Sequence, residues 1–418
     1  MVRRRVVVTG MGILCPIGND VPSAWQNLIA GKCGIQTIQR FDSSALSVRI
    51  AGEVRDFDAK ALFGNREARR MDRVTQLAMA ATLQALEQAK LDMSAEDPYE
   101  VGCLIGSGVG GIETLLEGVR VSHEKGFKFV SPLLVPMMLT DSPVGRVAIE
   151  FNFRGPNMSI STACATGNNA IGEAAEMIRR GAAEVMICGS TEAAIVPLAV
   201  AGFANMGALS TRNDDPATAS RPFDKDRDGF VIAEGAAILV LEALEHAQRR
   251  NATILAELLG YATTDDAYHI TAPMEDGGGA QMAMRKALHD AGLTIEQIDY
   301  INAHGTSTPL NDAAETRAVK AVFGERAYQV KISSVKGAVG HMLGAAGSVE
   351  AVFSVQSILH NFVPPTINYH TPDPECDLDY TPNHGVAHTV RYVMSNSFGF
   401  GGHNAVLIFG KYSGNGSQ

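Results

Sequence analysis

Residues 158–180 read MSISTACATGNNAIGEAAEMIRR, a stretch that predicts a short strand running directly into a helix. Four apolar residues recur at helical spacing in its second part: Ala170, Ala174, Met177 and Ile178. Cys164 lies at the corner, where unpaired backbone N–H groups and the positive end of the helix dipole favour a thiolate over a thiol. Cys164 is therefore a candidate nucleophile, and a buried structural cysteine is the alternative.

The composition is typical of an α/β protein that exceeds the usual size of a single domain. The 418 residues include 42 glycines and few aromatic residues, which favours tight turns and close packing of helices. A formal net charge of −10 argues against bulk nucleic-acid binding. The six cysteines form no Cys-x-x-Cys pair, and no apolar run is long enough to cross a bilayer. We therefore expect a cytoplasmic protein with neither a nucleic-acid nor a membrane partner.

The second part of the chain repeats the plan of the first. Buried strands are predicted near residues 4–9, 101–105, 185–189, 256–259, 300–303, 330–334, 392–395 and 405–409. Helices are predicted in the second part at residues 278–292, 311–323 and 346–360. The sequence therefore predicts two pseudo-duplicated α/β halves, 1–254 and 255–412, followed by a flexible tail at 413–418.

Two motifs point to other functions and are incomplete. Residues 106–111 match Gly-x-Gly-x-x-Gly after a strand, which favours a dinucleotide-binding oxidoreductase, but no acidic residue ends a second strand about twenty residues later. Residues 224–235 begin like a calcium loop, but Gly235 occupies the twelfth position, where a bidentate glutamate is required. The histidines show no zinc-ligand spacing, so we expect no bound metal.

Three further stretches end strands or turns with polar residues that can do chemistry. These are NAHGTST at 302–308, SSVKGAVGH at 333–341 and NSFGFGG at 396–402. A single histidine at such a place is usually structural. Two of them, His304 and His341, on separate strand ends, together with Cys164 on a third, favour a reaction centre.

In these motifs the chain resembles the β-ketoacyl-[acyl carrier protein] synthases of the thiolase superfamily, most closely the elongating synthase II type. The resemblance runs from Val6 to Phe409 and includes TACATG at 162–167, NAHGT at 302–306 and NSFGFGG at 396–402. One cysteine with two histidines is the elongating pattern, whereas initiating synthases carry His and Asn and thiolases carry a second catalytic cysteine. The resemblance implies a five-layered α-β-α-β-α fold and a homodimer.

The same resemblance implies a ping-pong Claisen condensation without a cofactor. Cys164 would accept an acyl chain as a thioester, with the backbone N–H groups of Cys164 and Phe400 as the oxyanion hole. His304 and His341 would then donate hydrogen bonds to the malonyl thioester, whose decarboxylation leaves an enolate that attacks the acyl group. In the family Lys336 organises charge near His304, within a buried network to which two acidic residues correspond here: Glu315 and Glu350.

The resemblance also assigns binding surfaces. Phe400 corresponds to a gate that admits acyl chains, and Val109 to a residue lining the acyl pocket near the dimer interface. The strongly acidic acyl carrier protein, in acyl and malonyl forms, would dock on four basic residues: Arg66, Arg69, Arg70 and Lys128. Gly207, where some relatives have a basic residue, leaves the carrier affinity open. The alternatives are a polyketide ketosynthase, a CoA-dependent thiolase and a non-catalytic partner such as a chain-length factor.

Overall fold

The computed structural model describes residues 3–414, so the last four residues of the predicted tail lie outside the described residues. The strands are β1 (Val6–Leu14), β2 (Ile35–Thr37), β3 (Ile50–Gly52), β4 (Val101–Gly106), β5 (Asn157–Met158), β6 (Val185–Glu192), β7 (Gly235–Ala243), β8 (Ala256–Asp265), β9 (Tyr300–Asn302), β10 (Lys331–Ser333), β11 (Phe362–Val363), β12 (Val386–Ala387), β13 (Tyr392–Gly399) and β14 (His403–Gly410). The α-helices are α1 (Val21–Ile29), α2 (Ala59–Ala68), α3 (Arg73–Ala89), α4 (Ile112–Lys125), α5 (Leu134–Met138), α6 (Ser142–Phe151), α7 (Thr166–Arg179), α8 (Pro197–Asn205), α9 (Leu244–Arg249), α10 (Gly278–Ala291), α11 (Pro309–Phe323), α12 (Lys336–Val339) and α13 (Ala346–His360).

Ten strands form one mixed sheet in the order β10-β9-β13-β14-β8-β1-β7-β6-β4-β5. The sheet consists of two five-stranded groups that share one topology, a first group β5-β4-β6-β7-β1 and a second group β10-β9-β13-β14-β8. In each group the first three strands are parallel, the fourth is antiparallel to them, and the fifth is antiparallel to the fourth. A short antiparallel pairing joins the groups, Val7 with Glu257 and Val8 with Ala256. The predicted pseudo-duplication is confirmed by this topology, whereas the domain division at residue 254 stays a prediction.

The helices pack in layers on both sides of these groups. Helices α3 and α6 cover one face of the first group, and α10 and α11 cover one face of the second. Helices α7 and α13 lie between the two groups, within the largest apolar core. The result is the five-layered α-β-α-β-α arrangement expected from the sequence. Within residues 3–414, no helix combines the length and the apolarity that crossing a bilayer requires.

Small residues set the distance between the layers. A Cβ atom on Gly10 of β1 would lie 2.1 Å from the carbonyl oxygen of Ala85 in α3, so only glycine permits this contact. A Cβ atom on Gly167 of α7 would lie 2.3 Å from the backbone nitrogen of Ser348 in α13. The two central helices therefore approach closely at their N-terminal ends, which is where the polar motifs converge.

Candidate active site

The turn that carries Cys164 differs from the sequence prediction. A strand was expected at residues 158–162, but β5 ends at Met158 and residues 159–165 form an irregular turn. The Thr166 hydroxyl donates to the Ala163 carbonyl oxygen (2.7 Å) and accepts from the Thr162 N–H (2.9 Å), which takes these groups out of any strand ladder. Ala163 adopts a left-handed conformation (φ 49°), an uncommon one for alanine, and Cys164 follows it two residues before α7 begins.

The Cys164 thiol faces His341 inside the protein. The Sγ atom lies 3.1 Å from Nε2 of His341, and both residues are buried. Burial raises the pKa of Cys164 to about 11, although the Lys336 ammonium and the Phe400 N–H both lower it. The expectation of a resting thiolate is therefore wrong, because desolvation of the charge outweighs the helix end. Burial, and secondarily Lys336, hold the pKa of His341 well below its ordinary value, so the pair rests as a thiol beside a neutral imidazole.

Backbone contacts hold both histidines in place. The His341 N–H donates to the Val231 carbonyl oxygen (2.8 Å), and its own carbonyl oxygen accepts from the Ala233 N–H (2.9 Å). The carboxylate of Glu315, on α11, accepts from the backbone N–H groups of His304 (2.8 Å) and Gly305 (2.7 Å). The two imidazoles meet edge to face with ring centroids 5.4 Å apart. Glu315 therefore clamps the turn that presents His304 to His341.

Lys336 and Glu350 form a buried ion pair behind His304. The Lys336 ammonium contacts the Glu350 carboxylate, donates to the His304 carbonyl oxygen (2.5 Å) and lies 3.4 Å from His304 Nδ1. Burial raises the pKa of Glu350 to about 7, against the lowering effect of Lys336. Burial, followed by Lys336 and His341, holds the pKa of His304 well below its ordinary value. Lys336 and Glu350 lie where the resemblance implied, while Glu315 acts on the backbone rather than on the lysine.

One donor atom each from Cys164, His304 and His341 lies within 4.8 Å of the others. This set of sulfur and nitrogen atoms can in principle bind a thiophilic metal. The Lys336 ammonium beside His304 opposes a cation there, and it points its N–H groups at the ring nitrogen.

A cavity of about 460 Å³ opens onto these three side chains. Its walls include Val109, Phe400 and residues from the second part of the chain, so the predicted acyl-pocket residue and the predicted gate both face the same space. Phe400 lies in the turn between β13 and β14, and its backbone N–H is directed at the Cys164 thiol. Gly401 (φ 86°) and Gly402 (φ 85°) follow it in conformations that favour glycine.

The predicted docking residues lie apart from this cavity, on the surface around α2 and α4. The side chains of Arg66 and Arg70 are exposed and lie near the carboxylate of Glu67 (4.0 and 3.4 Å). Arg69 and Phe129 line a second surface cleft, and the Lys128 ammonium lies 4.9 Å from the centre of the Phe129 ring. All four basic residues are exposed, and Glu67, which Arg66 and Arg70 share, leaves the patch only partly neutralised.

The two incomplete motifs have structural explanations. Asp224 accepts from the backbone N–H groups of His370 and Thr371 (2.6 Å each), and Arg227 pairs with Asp373 (2.5 Å), so these charged groups of the calcium-like loop are paired with residues 370–373. The glycine-rich turn at 106–111 includes Gly108, which packs against Gly344 and Glu192 beside the cavity. These glycines therefore serve close backbone contact.

Glu192 also lies in the cavity wall, although no sequence motif pointed to it. This residue ends β6, is fully buried and accepts hydrogen bonds from two separate turns. Burial raises the pKa of its carboxyl group to about 7. An acidic residue that directly continues a buried apolar strand was the available signal.

Comparison with known proteins agrees with this geometry. Residues 3–247 match the family model described as Beta-ketoacyl synthase, N-terminal domain, and residues 255–370 match the corresponding C-terminal domain. The chain belongs to the beta-ketoacyl synthase family. The predicted family and the predicted class of enzyme, a condensing acyltransferase, are thereby confirmed.

Relatives of this beta-ketoacyl synthase match it over nearly the whole chain. The 3-oxoacyl-[acyl-carrier-protein] synthase 2 of Synechocystis sp. is 52% identical over 410 residues, which cover 98% of this chain and 99% of the relative. The protein of the same name from Staphylococcus aureus is 51% identical over 409 residues, with the same coverage. A solved type II polyketide ketosynthase, in complex with its acyl carrier protein and bound to the hexaketide, is 36% identical with a TM-score of 0.91, covering 98% of this chain and 100% of its own. The expected thiolase-like fold is confirmed.

Proposed function

We propose that the protein condenses acyl-[acyl carrier protein] with malonyl-[acyl carrier protein] and releases CO₂, giving 3-oxoacyl-[acyl carrier protein] in the elongation step of fatty acid biosynthesis. The observation that carries this proposal is the convergence of Cys164, His304 and His341 at one cavity. Cys164 supplies the nucleophile that acyl transfer requires. The neutral His304 and His341 supply the hydrogen-bond donors that stabilise an enolate.

Acyl transfer begins from the thiol form of Cys164. The neutral imidazole of His341, 3.1 Å from the sulfur, accepts the thiol proton as the sulfur attacks the thioester carbonyl carbon. The N–H groups of Cys164 and Phe400 would hold the oxygen that becomes negative. When the tetrahedral intermediate collapses, the carbon–sulfur bond to the carrier breaks, and His341 returns the proton to the departing thiolate.

Decarboxylation requires donors rather than acceptors. Lys336 directs its ammonium at Nδ1 of His304, which leaves the ring proton on Nε2, facing the cavity. Nδ1 of His341 has no hydrogen-bond partner among residues 3–414, so nothing locks that ring in one tautomer. Its Nε2 can accept a proton in the first step and donate a hydrogen bond in the second. Both rings would then stabilise the enolate, whose carbon attacks the Cys164 thioester carbonyl. The carbon–sulfur bond to Cys164 then breaks, and the departing thiolate takes up a proton from water to restore the thiol.

The partners of this reaction also remain proposals. An acidic acyl carrier protein would dock on the exposed basic residues Arg66, Arg69, Arg70 and Lys128, and the solved ketosynthase bound to its carrier supports a partner of this kind. A homodimer is supported by β5, whose outer edge ends the ten-stranded sheet. Exposed apolar side chains lie on that strand and along the segment from α4 to α6 that precedes it: Leu115, Val119, Phe129, Val135, Leu139, Ile149 and Met158. The cytoplasmic location suggested by the cysteine usage is likewise proposed.

The polyketide ketosynthase is the second candidate function, favoured by the 36% identity to such an enzyme. The two functions share the reaction centre and differ in the acyl chain that occupies the cavity. A CoA-dependent thiolase is less consistent with the geometry, because among residues 3–414 no second cysteine lines the cavity.

Mass spectrometry after mixing the protein with acyl carrier protein thioesters of different chain lengths tests the proposal. We expect a single acyl adduct on Cys164 and none on the Cys164→Ala variant. Cys33→Ala is a matched control, since this half-buried cysteine lies outside the cavity and should leave the adduct unchanged. No adduct with any chain length would refute the proposed function. A preference for linear saturated chains over polyketide intermediates would separate the two candidates.

A further inference from the structure

Glu192 joins two turns that form different parts of the cavity wall. Its Oε1 accepts from the Ser107 hydroxyl (3.0 Å) and the Val109 N–H (3.2 Å). Its Oε2 accepts from the N–H groups of Gly108 (2.9 Å) and Gly344 (3.1 Å). One carboxylate therefore connects residues 107–109, after β4, with the turn that precedes α13.

The two turns approach each other so closely that neither Gly108 nor Gly344 can carry a side chain. A Cβ atom on Gly344 would lie 2.5 Å from the Gly108 nitrogen and 2.7 Å from Oε2 of Glu192. A Cβ atom on Gly108 would lie 2.8 Å from the same oxygen. The two backbones therefore meet at the carboxylate, and movement of one turn must be transmitted to the other.

Within residues 3–414, the Glu192 carboxylate is held by neutral donors alone. Glu234 pairs with Arg73 (2.7 Å), and Glu350 pairs with Lys336, whereas Glu192 has no ion-pair partner within the described part of the chain. A buried carboxylate held only by neutral donors is costly to ionise. Packing alone does not require a carboxylate at this position, whereas the hydrogen bonds to the two turns do.

Each turn carries residues that face substrate under the proposed function. Val109 projects into the cavity from the first turn. Leu343, in a left-handed conformation (φ 48°), lines the cavity from the second turn, two residues after His341. The same carboxylate therefore contacts both turns that carry acyl-facing residues, whereas His341 is held by the backbone of Val231 and Ala233.

We infer that Glu192 is a positioning residue that holds the 107–109 turn and the turn at 343–344 in one fixed arrangement, and thereby sets which acyl chains reach Cys164. This inference rests on the proposed function of the same site. Long chains must fill the space beside Val109 and Leu343, so they depend on the arrangement most. A two-carbon chain reaches Cys164 without that part of the cavity.

Glu192→Gln tests the inference, because it keeps the side-chain shape but presents an amide group to backbone donors. We expect the rate of Cys164 acylation by long-chain carrier thioesters to fall about tenfold, as loss of one charge-assisted buried hydrogen bond suggests, mainly through KM. Acylation by the acetyl thioester should stay within about twofold of the wild-type rate by the same reasoning. Ser107→Ala removes one donor and should change the profile in the same direction but less.

Alkylation of Cys164 by iodoacetamide is a second test, in which Glu192→Gln should raise the reaction rate, whereas it should lower the rate of long-chain acylation. The Glu192 charge is among the influences that raise the Cys164 pKa, so Glu192→Gln should speed alkylation about two- to fivefold at a fixed pH. Glu53→Gln is the matched control: Glu53 is also buried and is also held by neutral donors, the backbone N–H groups of Gln39 and Arg40, but lies outside the cavity.

The outcomes are distinguishable. An unchanged chain-length profile in Glu192→Gln overturns the inference, and so does an equal loss at every chain length, which would indicate a general structural role. If Glu192→Gln does not fold, the Ser107→Ala profile decides by the same criterion. Failure of the wild-type protein to form any acyl adduct would count against the proposed function instead.

Discussion

Two buried clusters of this protein combine a histidine, a carboxylate and a cationic side chain, and they differ in how completely their atoms are paired. In the cluster formed by Glu96, Glu242, His246 and Arg250, His246 bonds to Glu242 (2.6 Å) and to Glu96 (2.9 Å). Arg250 binds both oxygens of Glu242. In the candidate active site, Lys336 pairs with Glu350, but Nδ1 of His341 is unpartnered among residues 3–414. The side chains of Cys164, His304 and His341 there face a cavity.

The pairing reverses the direction of the pKa shifts. Burial lowers the pKa of His246, but the bonds to Glu242 and Glu96 outweigh it and raise the pKa overall. Arg250, His246 and Thr9 lower the pKa of Glu242 to about 2 in spite of burial. In the candidate active site, burial dominates and keeps both histidines neutral. The same residue types thus form a structural ion-pair network in one place and a set of neutral donors in the other.

The largest expected effect concerns His304. His304→Ala should lower the rate of malonyl decarboxylation about a hundredfold or more, because removing one donor to a developing oxyanion costs about 3 kcal/mol. Acyl transfer to Cys164 should persist, since His341 faces the thiol. Release of CO₂ and adduct mass measure the two half-reactions separately. An equal loss of both would contradict the assigned role of His304.

Glu242→Gln should affect stability instead of catalysis. The pKa of Glu242 falls from 4.5 to about 2 in the folded protein, which corresponds to about 3 kcal/mol of stability at neutral pH. Urea unfolding at pH 7 measures the loss, and the rate of condensation per folded molecule should remain that of the wild type. A large fall in that rate would show that the two clusters are not independent.

The same carboxylate predicts a pH dependence. Because the folded-state pKa of Glu242 is depressed, its contribution is complete above about pH 4.5 and is lost as the pH falls towards 2. The free energy of unfolding should therefore fall more steeply over this range in the wild-type protein than in Glu242→Gln. Parallel curves for the two proteins would contradict the prediction.

His246 should give the smallest effect, with the opposite sign. Its folded-state pKa is raised above 6.5, so its contribution is complete below that pH and is lost as the pH rises through the raised value. The free energy of unfolding should decline over this range in the wild type, and His246→Gln should lack the decline. Unfolding curves between pH 6 and 9 provide the comparison, and a decline preserved in the variant would exclude His246 as its source.

Local structure was predictable wherever periodicity and burial agree. The helix expected at 346–360 coincides with α13, and that expected at 278–292 lies within one residue of α10. The strand expected at 158–162 was wrong, because Thr166 captures the backbone groups of Ala163 and Thr162 in a turn. Such side-chain-to-backbone bonds depend on a specific turn geometry, which residue propensity does not encode.

The residues of the candidate site likewise differ in whether the sequence alone identifies them. Cys164, His304, His341 and Lys336 were identifiable because each lies in a motif with its own chemistry. Glu192 was not, since its importance comes from contacts with Gly108 and Gly344, which lie 84 and 152 positions away in the chain. Contacts over such distances follow from packing and leave no local pattern.

The sequence by itself therefore determined the candidate nucleophile at a helix N-terminus, the two histidines and the duplicated α/β plan, because these follow from residue type and local periodicity. The expectation that both histidines lie at strand ends was wrong for His341, which follows helix α12. Only the tertiary structure decided that Cys164 rests as a thiol and that the histidines are neutral, since a pKa depends on burial and on neighbours brought together by the fold. The fold also placed the Glu192 carboxylate between two turns of the cavity wall, which it connects by hydrogen bonds.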